Sequence, residues 1–387
     1  MTFLENVCYT GYMGRYITRN LEKELSQKLA DEKALIIYGA RQVGKSTMLK
    51  NLLGNNDSVI WFYGDQLQTQ TFFSDISVPN LKTMIGIKKI VVIDEAQMIR
   101  DIGIKLKLFT DYLDGVKVIA TGSSSFSMAN IINEPLTGRK WEYQLMPLSF
   151  GEMAAAGSVF DEMGYLETRL IYGYYPEIVT HPGEEKERLQ ELVTSYLYKD
   201  VLIWENLKKA DKITRLLQTL ALQTGSQISY AEIGSTVGLD SKTVEKYIDL
   251  LEKAFIIYRL SSYSRNHRNE LKTSKKVYFY DNGIRNALIG AFNPIELRND
   301  TGILWENFIM SEFLKKDKNT DRFVRRWFWR TKQKQEIDLI HESNGKLTAY
   351  EFKWNEKKNA PCPQAFREAY PDVEYHVINR KNFFDYL

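Results

Sequence analysis

Eight consecutive residues near the N-terminus have the types and spacing that bind phosphate. Gly39–Ser46 read Gly-Ala-Arg-Gln-Val-Gly-Lys-Ser, an uninterrupted G-x-x-x-x-G-K-[ST] pattern. Glycines bring bare backbone N–H groups against phosphate oxygens, and the following helix N-terminus adds partial positive charge. In such a loop Lys45 reaches the β- and γ-phosphates and Ser46 ligates magnesium, so we predict a site for a nucleoside triphosphate with Mg²⁺. Its predicted contacts are Gly39, Ala40, Arg41, Gln42, Val43, Gly44, Lys45, Ser46 and Thr47.

A pair of acids ends the next informative segment. Lys88–Gln97 read as an apolar, buried strand that finishes in Asp94 and Glu95. This is a Walker B pattern, in which Asp94 holds the magnesium through water and Glu95 acts as the general base for an attacking water. The alternative is that the two acids only supply favourable negative charge at the start of a helix.

A third apolar run, Val116–Ala120, is followed by Thr-Gly-Ser-Ser-Ser. Ligands of α/β sheets bind at the carboxyl ends of the strands, so Ser123, or its neighbour Thr121, is a candidate sensor of the γ-phosphate or the water. A Ser-rich turn without a role would have the same composition.

Arg139 lies in the loop segment Thr137–Lys140. An arginine in a loop can act as a finger on the phosphate of a neighbouring subunit, which would require a homo-oligomer. The alternative is a solvated loop cation.

The elements that position these residues alternate between strand and helix. Apolar runs at Ala34–Tyr38 and Val59–Tyr63 predict strands, and helical spacing marks Tyr16–Leu29 and Ile102–Leu113. Such alternation predicts an α/β fold with a parallel, helix-covered sheet. From Phe150 to Leu207 the pattern is helical.

Residues 211–260 have helical periodicity that is interrupted at Val237-Gly238-Leu239, which is the spacing of a helix-turn-helix. Ile256–Leu260 and Lys276–Tyr280 are predicted to be the strands of a wing, and the loop between them is basic. Its cations favour DNA binding, whereas the presumed recognition helix mixes Lys242 and Lys246 with acids, which favours protein packing. The basic side chains of this predicted wing are Arg265, His267, Arg268, Lys272, Lys275 and Lys276.

The phosphate-binding loop, the Asp94-Glu95 pair and the Thr-Gly-Ser strand end together resemble the prokaryotic AAA-type ATPases of the additional-strand class. The likeness continues through Gly138-Arg139, Pro147–Phe150 and Gly173–Glu177, which are similar to a subfamily whose ATPase is followed by a domain of unknown function. The resemblance covers nearly the whole chain. It implies ATP rather than GTP, and a helical lid over the nucleotide. The implied domains are 1–149 (ATPase core), 150–207 (lid), 208–282 (winged helix-turn-helix) and 283–387 (C-terminal domain).

The C-terminal segment resembles the core of a PD-(D/E)XK nuclease. Its charged residues follow one another along the chain as they do in that core. They are Glu306 on a helix, Asp338 after Glu336-Ile337, and Glu351-Phe352-Lys353 after an Asn344-Gly345 turn. The turn would pair the two strands, and a period of two puts Glu351 and Lys353 on one face. Ile337 stands where the pattern has proline.

This resemblance implies a second Mg²⁺ or Mn²⁺ site. Asp338 and Glu351 would share the ion with support from Glu306, and Lys353 would orient or deprotonate a hydrolytic water. The alternative is a retained but inactive fold that serves assembly or partner binding. The segment Lys315–Lys334 interleaves cations with Phe323, Trp327, Phe328 and Trp329, which predicts either base stacking or core packing.

Composition limits the remaining choices. A chain of 387 residues is longer than a single hydrophobic core usually supports, so we expect more than one domain. The net charge of +3 is small, so a surface that binds nucleic acid would have to be a local cluster of basic residues. Cys8 and Cys362 are too far apart for a disulfide framework or a metal motif. With neither a signal peptide nor a membrane span in the sequence, we expect a cytoplasmic protein.

Three functions fit these patterns. The first is a DNA-directed ATPase with nuclease activity, and the second is an ATP-driven signalling switch whose tail only assembles or binds a partner. The third is a nucleotide-dependent DNA-binding regulator that does not cleave. An intact metal site separates the first from the others, and a basic wing separates the third from the second.

Overall fold

The computed structural model describes residues 14–123, 136–196, 210–264, 274–320, 323–358 and 360–387. The chain divides into two compact units. The first consists of Ile17–Leu148 with Lys253–Phe255, and the second consists of Ser149–Glu252 and Ile256–Leu387 with the described residues before Ile17.

A five-stranded sheet in the order β2-β3-β4-β1-β5 forms the centre of the first unit, and every strand pair in it is parallel. This confirms the predicted α/β class. The strands are β1 (Ala34–Tyr38), β2 (Val59–Tyr63), β3 (Ile90–Asp94), β4 (Lys117–Gly122) and β5 (Lys140–Gln144).

Five helices of the first unit accompany the sheet: α1 (Asn20–Lys28), α2 (Lys45–Leu53), α3 (Leu67–Ser74), α4 (Val78–Ile85) and α5 (Ile102–Tyr112). On one face, Ile36 and Ile93 pack in a core with Phe73 of α3 and Phe109 of α5. Their strand neighbours are buried as well, with Leu35 and Val92 both 0% exposed. Burial of both faces explains why the central strands are apolar throughout.

Helices dominate the start of the second unit. They are α6 (Phe150–Ala156), α7 (Val159–Gly164), α8 (Leu166–Tyr172), α9 (Pro176–Val179) and α10 (Glu185–Tyr196). Ser149 begins α6 with a capping box, because its hydroxyl accepts from the Glu152 N–H while the Glu152 carboxylate accepts from the Ser149 N–H. The predicted helical character therefore holds for 150–196, and 197–207 lie outside the described residues.

Three helices and a small sheet follow: α11 (Ala210–Leu222), β6 (Gln227–Ile228), α12 (Tyr230–Val237), α13 (Ser241–Lys253), β7 (Ile257–Ser261) and β8 (Lys275–Phe279). The sheet order is β6-β8-β7 and both pairs are antiparallel. Gly238, at φ +70°, ends α12 in the left-handed conformation that glycine adopts without strain. The two strands predicted around the basic loop are present, each shifted by one residue.

A four-stranded sheet in the order β12-β11-β10-β9 follows in the second unit. Strands β9, β10 and β11 are antiparallel neighbours, whereas β12 is parallel to β11. Asn344 and Gly345 both have positive φ and join β10 to β11, as the sequence predicts. The elements are α14 (Asn282–Leu288), α15 (Thr301–Thr320), β9 (Arg325–Arg330), β10 (Glu336–Ser343), β11 (Lys346–Phe352), α16 (Gln364–Ala369) and β12 (Glu374–Ile378).

No helix in the described ranges is both long enough and apolar enough to cross a membrane.

Candidate functional site

The phosphate-binding loop begins where β1 ends, and two glycines allow its path. A Cβ atom at Gly39 would lie 2.0 Å from the Leu145 carbonyl oxygen, so no other residue fits against the end of β5. Gly44 adopts φ +92° directly before α2. Glycine allows both the close approach at Gly39 and the positive φ at Gly44 at low cost.

Lys45, the first residue of α2, is 5% exposed and its ammonium lies back across the loop. Nζ donates to the carbonyl oxygens of Gly39 and Ala40, each at 2.9 Å. The ammonium is therefore held within the loop whose N–H groups are predicted to bind phosphate.

Asp94 brings together three elements that are distant in sequence. Its Oδ2 accepts a 2.7 Å hydrogen bond from Ser46 Oγ of α2, and its Oδ1 accepts one from Thr121 Oγ1 of β4. A hydroxyl and a carboxylate side by side are oxygen ligands that suit Mg²⁺, which usually also binds substrate phosphates and water. Ser46 and Asp94 thus fit a nucleotide-bound magnesium ion.

Glu95 is fixed in an unusual conformation beside this pair, with φ +49° and ψ +43°. Its N–H donates to Thr121 Oγ1 at 3.1 Å. Gly64, at the end of β2, permits this turn, because a Cβ there would lie 2.3 Å from the Glu95 carbonyl oxygen. A non-glycine residue held at positive φ carries a cost that the surroundings must offset, and such positions concentrate at functional sites.

Gln97 connects the two residues predicted to sense and activate water. Its Nε2 donates to Glu95 Oε2 at 2.5 Å and to Ser123 Oγ at 3.1 Å. Its Oε1 is buried and accepts no hydrogen bond from the described residues. Sequence reasoning missed this role, although Gln97 follows the acid pair by only two positions.

Arg19 is a second residue that sequence reasoning missed. Its guanidinium is buried and donates to the carbonyl oxygens of Val43 at 2.8 Å and Met146 at 2.6 Å. It therefore ties the phosphate-binding loop to the segment after β5. Nothing in the local sequence marks an arginine before a helix for this task.

Arg139 lies at the opposite edge of the sheet. It directly precedes β5, and its carbonyl accepts from the Ala34 N–H at the start of β1. Since β1 spans five residues, the loop is roughly 16 Å away, at about 3.3 Å per residue. The guanidinium pairs with Asp111 at 2.7 Å, and the Arg139 side chain is 48% exposed. It does not join the site of its own chain.

The predicted C-terminal residues form a second group in the second unit. Leu339 pairs with Tyr350, so Asp338 and Glu351 occupy the next positions of β10 and β11. Asp338 Oδ2 accepts from the Phe352 N–H at 2.8 Å, and Lys353 pairs with Glu351. Burial, with the charges of Glu306 and Glu351, raises the pKa of Asp338 well above its usual range. Burial likewise raises the pKa of Glu351.

The prediction that Lys276 contacts DNA is wrong. The sequence predicts that Lys276 belongs to the DNA-binding wing, but its side chain is 2% exposed and contacts Glu306 and Glu336. Burial lowers the pKa of its ammonium, and the neighbouring carboxylates outweigh that effect, so the pKa is raised and the group stays charged. Lys276 is therefore not available to a phosphate backbone.

The other residues of the predicted nucleic-acid surface differ in how far they are buried. Trp327, Phe328 and Trp329 are at most 8% exposed, so the core interpretation is right for them, whereas Phe323 is 87% exposed and is not a core residue. Lys275 is half-buried, and Arg265, His267, Arg268 and Lys272 lie outside the described residues. Across the described ranges, no group of three or more His, Cys, Asp or Glu side chains could hold a metal ion.

Comparison with known proteins adds three matches to protein families. Residues 31–154 match the family described as an AAA domain. Residues 163–294 and 301–384 match two families described as domains of unknown function.

Among curated proteins, an uncharacterized protein of Mycobacterium tuberculosis is 25% identical over 87% of this chain and 73% of its own length. An uncharacterized protein of Haemophilus influenzae is 29% identical over 45% of this chain and 46% of its own length.

Among solved structures, a Walker-type ATPase of Pyrococcus abyssi has a TM-score of 0.50 at 16% identity. The likeness covers 74% of this chain and 100% of that one, and it concerns the fold. Together with the AAA-domain match, it shows a P-loop ATPase fold, which implies nucleotide binding.

The contacts of Gln97 give a first prediction. Replacing Gln97 with alanine removes its hydrogen bond to Glu95, the predicted general base, and misplacing a catalytic group by about 1 Å can cost roughly 100-fold. We expect kcat for ATP to fall between about 10- and 100-fold while the Kd for ATP stays within about twofold. Steady-state hydrolysis and equilibrium binding measure the two quantities. Met98→Ala, at a neighbouring residue that is 51% exposed, is the control. Parental kcat in Gln97→Ala would contradict the role.

Proposed function

We propose that this protein is a magnesium-dependent ATPase that hydrolyses ATP at the loop Gly39–Ser46. The observation that carries the proposal is the position of Asp94, whose carboxylate joins Ser46 to Thr121 beside the loop. ATP, rather than GTP, follows from the resemblance to AAA-type ATPases, since the sequence has no guanine-specifying motif.

Each side chain has a defined part in the proposed reaction. Lys45 and the loop N–H groups bind the phosphates, while Ser46 and Asp94 hold magnesium, which neutralises phosphate charge when bound. Glu95 accepts a proton from the attacking water. Gln97 fixes the Glu95 carboxylate by the 2.5 Å hydrogen bond and links it to Ser123, the proposed sensor.

Arg139 is proposed to act on a neighbouring subunit. Its place at the amino edge of the sheet and its 48% exposure make it accessible to a second copy. A surface ion pair such as that with Asp111 contributes little, so exchange of Asp111 for a phosphate would cost little. This role requires a homo-oligomer and implies slow hydrolysis by an isolated chain.

Two substitutions test the ATPase proposal. Lys45→Ala should abolish ATP binding because the phosphates lose their ammonium. Glu95→Gln should bind ATP normally and hydrolyse it at least about 100-fold more slowly, because a general base contributes roughly 100- to 10,000-fold. Equilibrium binding and phosphate release measure these effects. Asp114→Asn, an exposed carboxylate of the same unit, is the control. Equal turnover by Glu95→Gln and the parent would refute the base assignment.

We further propose that the proposed domain 208–282 is a winged helix that directs the ATPase to DNA. Support comes from the order α11, β6, α12, α13, β7, β8 and from the three-stranded sheet. On α13, Val244 and Ile248 are buried, whereas Lys242 and Lys246 are exposed. Acids on the same helix support the alternative, in which this domain packs against a protein.

The DNA proposal predicts binding that weakens steeply with salt and is largely indifferent to sequence. The test is a triple charge reversal, Arg265→Glu, Arg268→Glu and Lys275→Glu, which leaves the buried Lys276 intact. Loss of three phosphate contacts should lower the slope of log K on log salt by about 2.7. The charge-matched control reverses the exposed Lys23, Lys82 and Lys346. Fluorescence anisotropy on a duplex measures both. Binding that survives the triple substitution and high salt would rule out the wing.

For the proposed domain 283–387, we propose a nuclease-like fold that does not cleave. The order α15, β9, β10, β11, α16, β12 with β12 parallel to β11 supports the fold. Of the predicted carboxylates Glu306, Asp338 and Glu351, the last two occupy neighbouring positions of β10 and β11, which supports a metal-dependent nuclease. However, Lys276 and Lys353 already pair with them, and this favours assembly or partner binding.

A cleavage assay separates these two functions. We expect no cleavage of single- or double-stranded DNA or RNA by the purified protein with Mg²⁺ or Mn²⁺, with or without ATP. Asp338→Ala and Lys353→Ala are the matched variants, and their ATPase rate should equal that of the parent. Cleavage by the parent that both substitutions abolish would establish the nuclease instead.

A further inference from the structure

The carboxylates Glu306, Glu336, Asp338 and Glu351 are called here the acidic group of the C-terminal domain. One cation that contacts this group comes from a different sheet. Lys276 belongs to β8, which pairs with β6 and β7 and not with the strands that carry the acids. Its Nζ lies 3.2 Å from Glu306 Oε1, contacts Glu336 Oε1, and lies 5.4 Å from the centre of the Phe328 ring. With 2% of the side chain exposed, water solvates this ammonium very little.

The three carboxylates expected to bind a metal each have an oxygen already engaged. Glu306 Oε1 accepts from Lys276 and, at 2.7 Å, from Tyr278 Oη. Asp338 Oδ2 accepts from the Phe352 N–H, and Glu351 Oε1 accepts from Lys353. Glu351 Oε2 is buried and accepts no hydrogen bond from the described residues. A divalent ion that also used Glu306 would nevertheless lie beside the buried ammonium of Lys276, which has the same sign of charge. The site as folded therefore does not fit the metal.

Cations of the protein compensate most, though not all, of the carboxylate charge around Lys276. Four carboxylates, Glu306, Glu336, Asp338 and Glu351, face three cations. These cations are Lys276, Lys353 and Arg330, whose guanidinium donates to Glu336 at 2.8 Å. A buried carboxylate is stable only when a cation or hydrogen-bond donors compensate its charge. Lys276 supplies that compensation to Glu336 and to Glu306, and Glu306 is one of the three carboxylates that the nuclease-like order would use for a divalent ion.

We propose that Lys276 is the resident cation of this acidic group and takes the place of a catalytic metal ion. Its ammonium on β8 holds Glu306 and Glu336, so the folded domain binds neither Mg²⁺ nor Mn²⁺ among these carboxylates. Removing the ammonium while keeping the carboxylates converts the group into a divalent-cation site. The inference rests on the nuclease-like order proposed for the domain and not on ATP hydrolysis, so an inactive ATPase would leave it standing.

The experiment is a Mn²⁺ titration of the full chain without nucleotide, followed by electron paramagnetic resonance. Lys276→Met removes the charge at similar size, Lys276→Arg keeps it, and Lys275→Met is the matched control on the same strand. We expect Lys276→Met to gain one Mn²⁺ site at least 10-fold tighter than any in the parent, and to lose it when Asp338→Asn is added. Mn²⁺ should also raise the Tm of Lys276→Met alone. The parent, Lys276→Arg and Lys275→Met should not gain the site.

Two results would overturn the inference. One is a folded Lys276→Met variant that gains no Mn²⁺ site. The other needs no variant of Lys276: a Mn²⁺ site in the parent that disappears in Asp338→Asn would show that the metal binds despite the ammonium. This second comparison decides the matter if Lys276→Met does not fold. If the parent cleaves no nucleic acid and yet has such a Mn²⁺ site, the proposal for Lys276 is refuted. The proposal that the domain does not cleave would still stand.

Discussion

The first unit depends on one carboxylate that accepts two hydroxyl hydrogen bonds. Asp94 ends β3, and its oxygens accept from Ser46 of α2 and Thr121 of β4. These contacts fix the spacing between the phosphate-binding loop and the two neighbouring strand ends. The positive φ of Glu95 follows from this arrangement, because its N–H must reach the same Thr121 hydroxyl. Gly64 and Gln97 then complete the turn.

Two buried lysines show how the acceptor decides what an ammonium can do. Lys45 donates to the neutral carbonyls of Gly39 and Ala40, and a neutral acceptor is readily exchanged for a phosphate oxygen. Lys276 donates to carboxylates, and leaving a buried carboxylate without its cation is costly. The same side chain therefore suits ligand binding in the first unit and charge compensation in the second.

Strand direction gives the first unit two distinct edges. All strands of its sheet are parallel, so Asp94, Thr121 and the loop meet at the carboxyl edge, whereas Arg139 lies at the amino edge. The proposed finger at that edge would act only on another copy of the chain. Assembly would thereby join a phosphate-binding edge to an arginine edge, and this is how the proposed ATPase would depend on oligomerisation.

The sequence by itself determined the α/β class, the phosphate-binding loop, the acid pair and the Asn344-Gly345 turn. These features depend on backbone conformations and side-chain types within a few adjacent residues, so local patterns predict them. Only the tertiary structure decided the role of Lys276. The sequence predicts a wing cation, whereas in the structure its ammonium contacts Glu306, 30 residues later. Arg19 likewise contacts Met146, 127 residues away. Burial and pairing of charges depend on such distant partners, which neither periodicity nor spacing encodes.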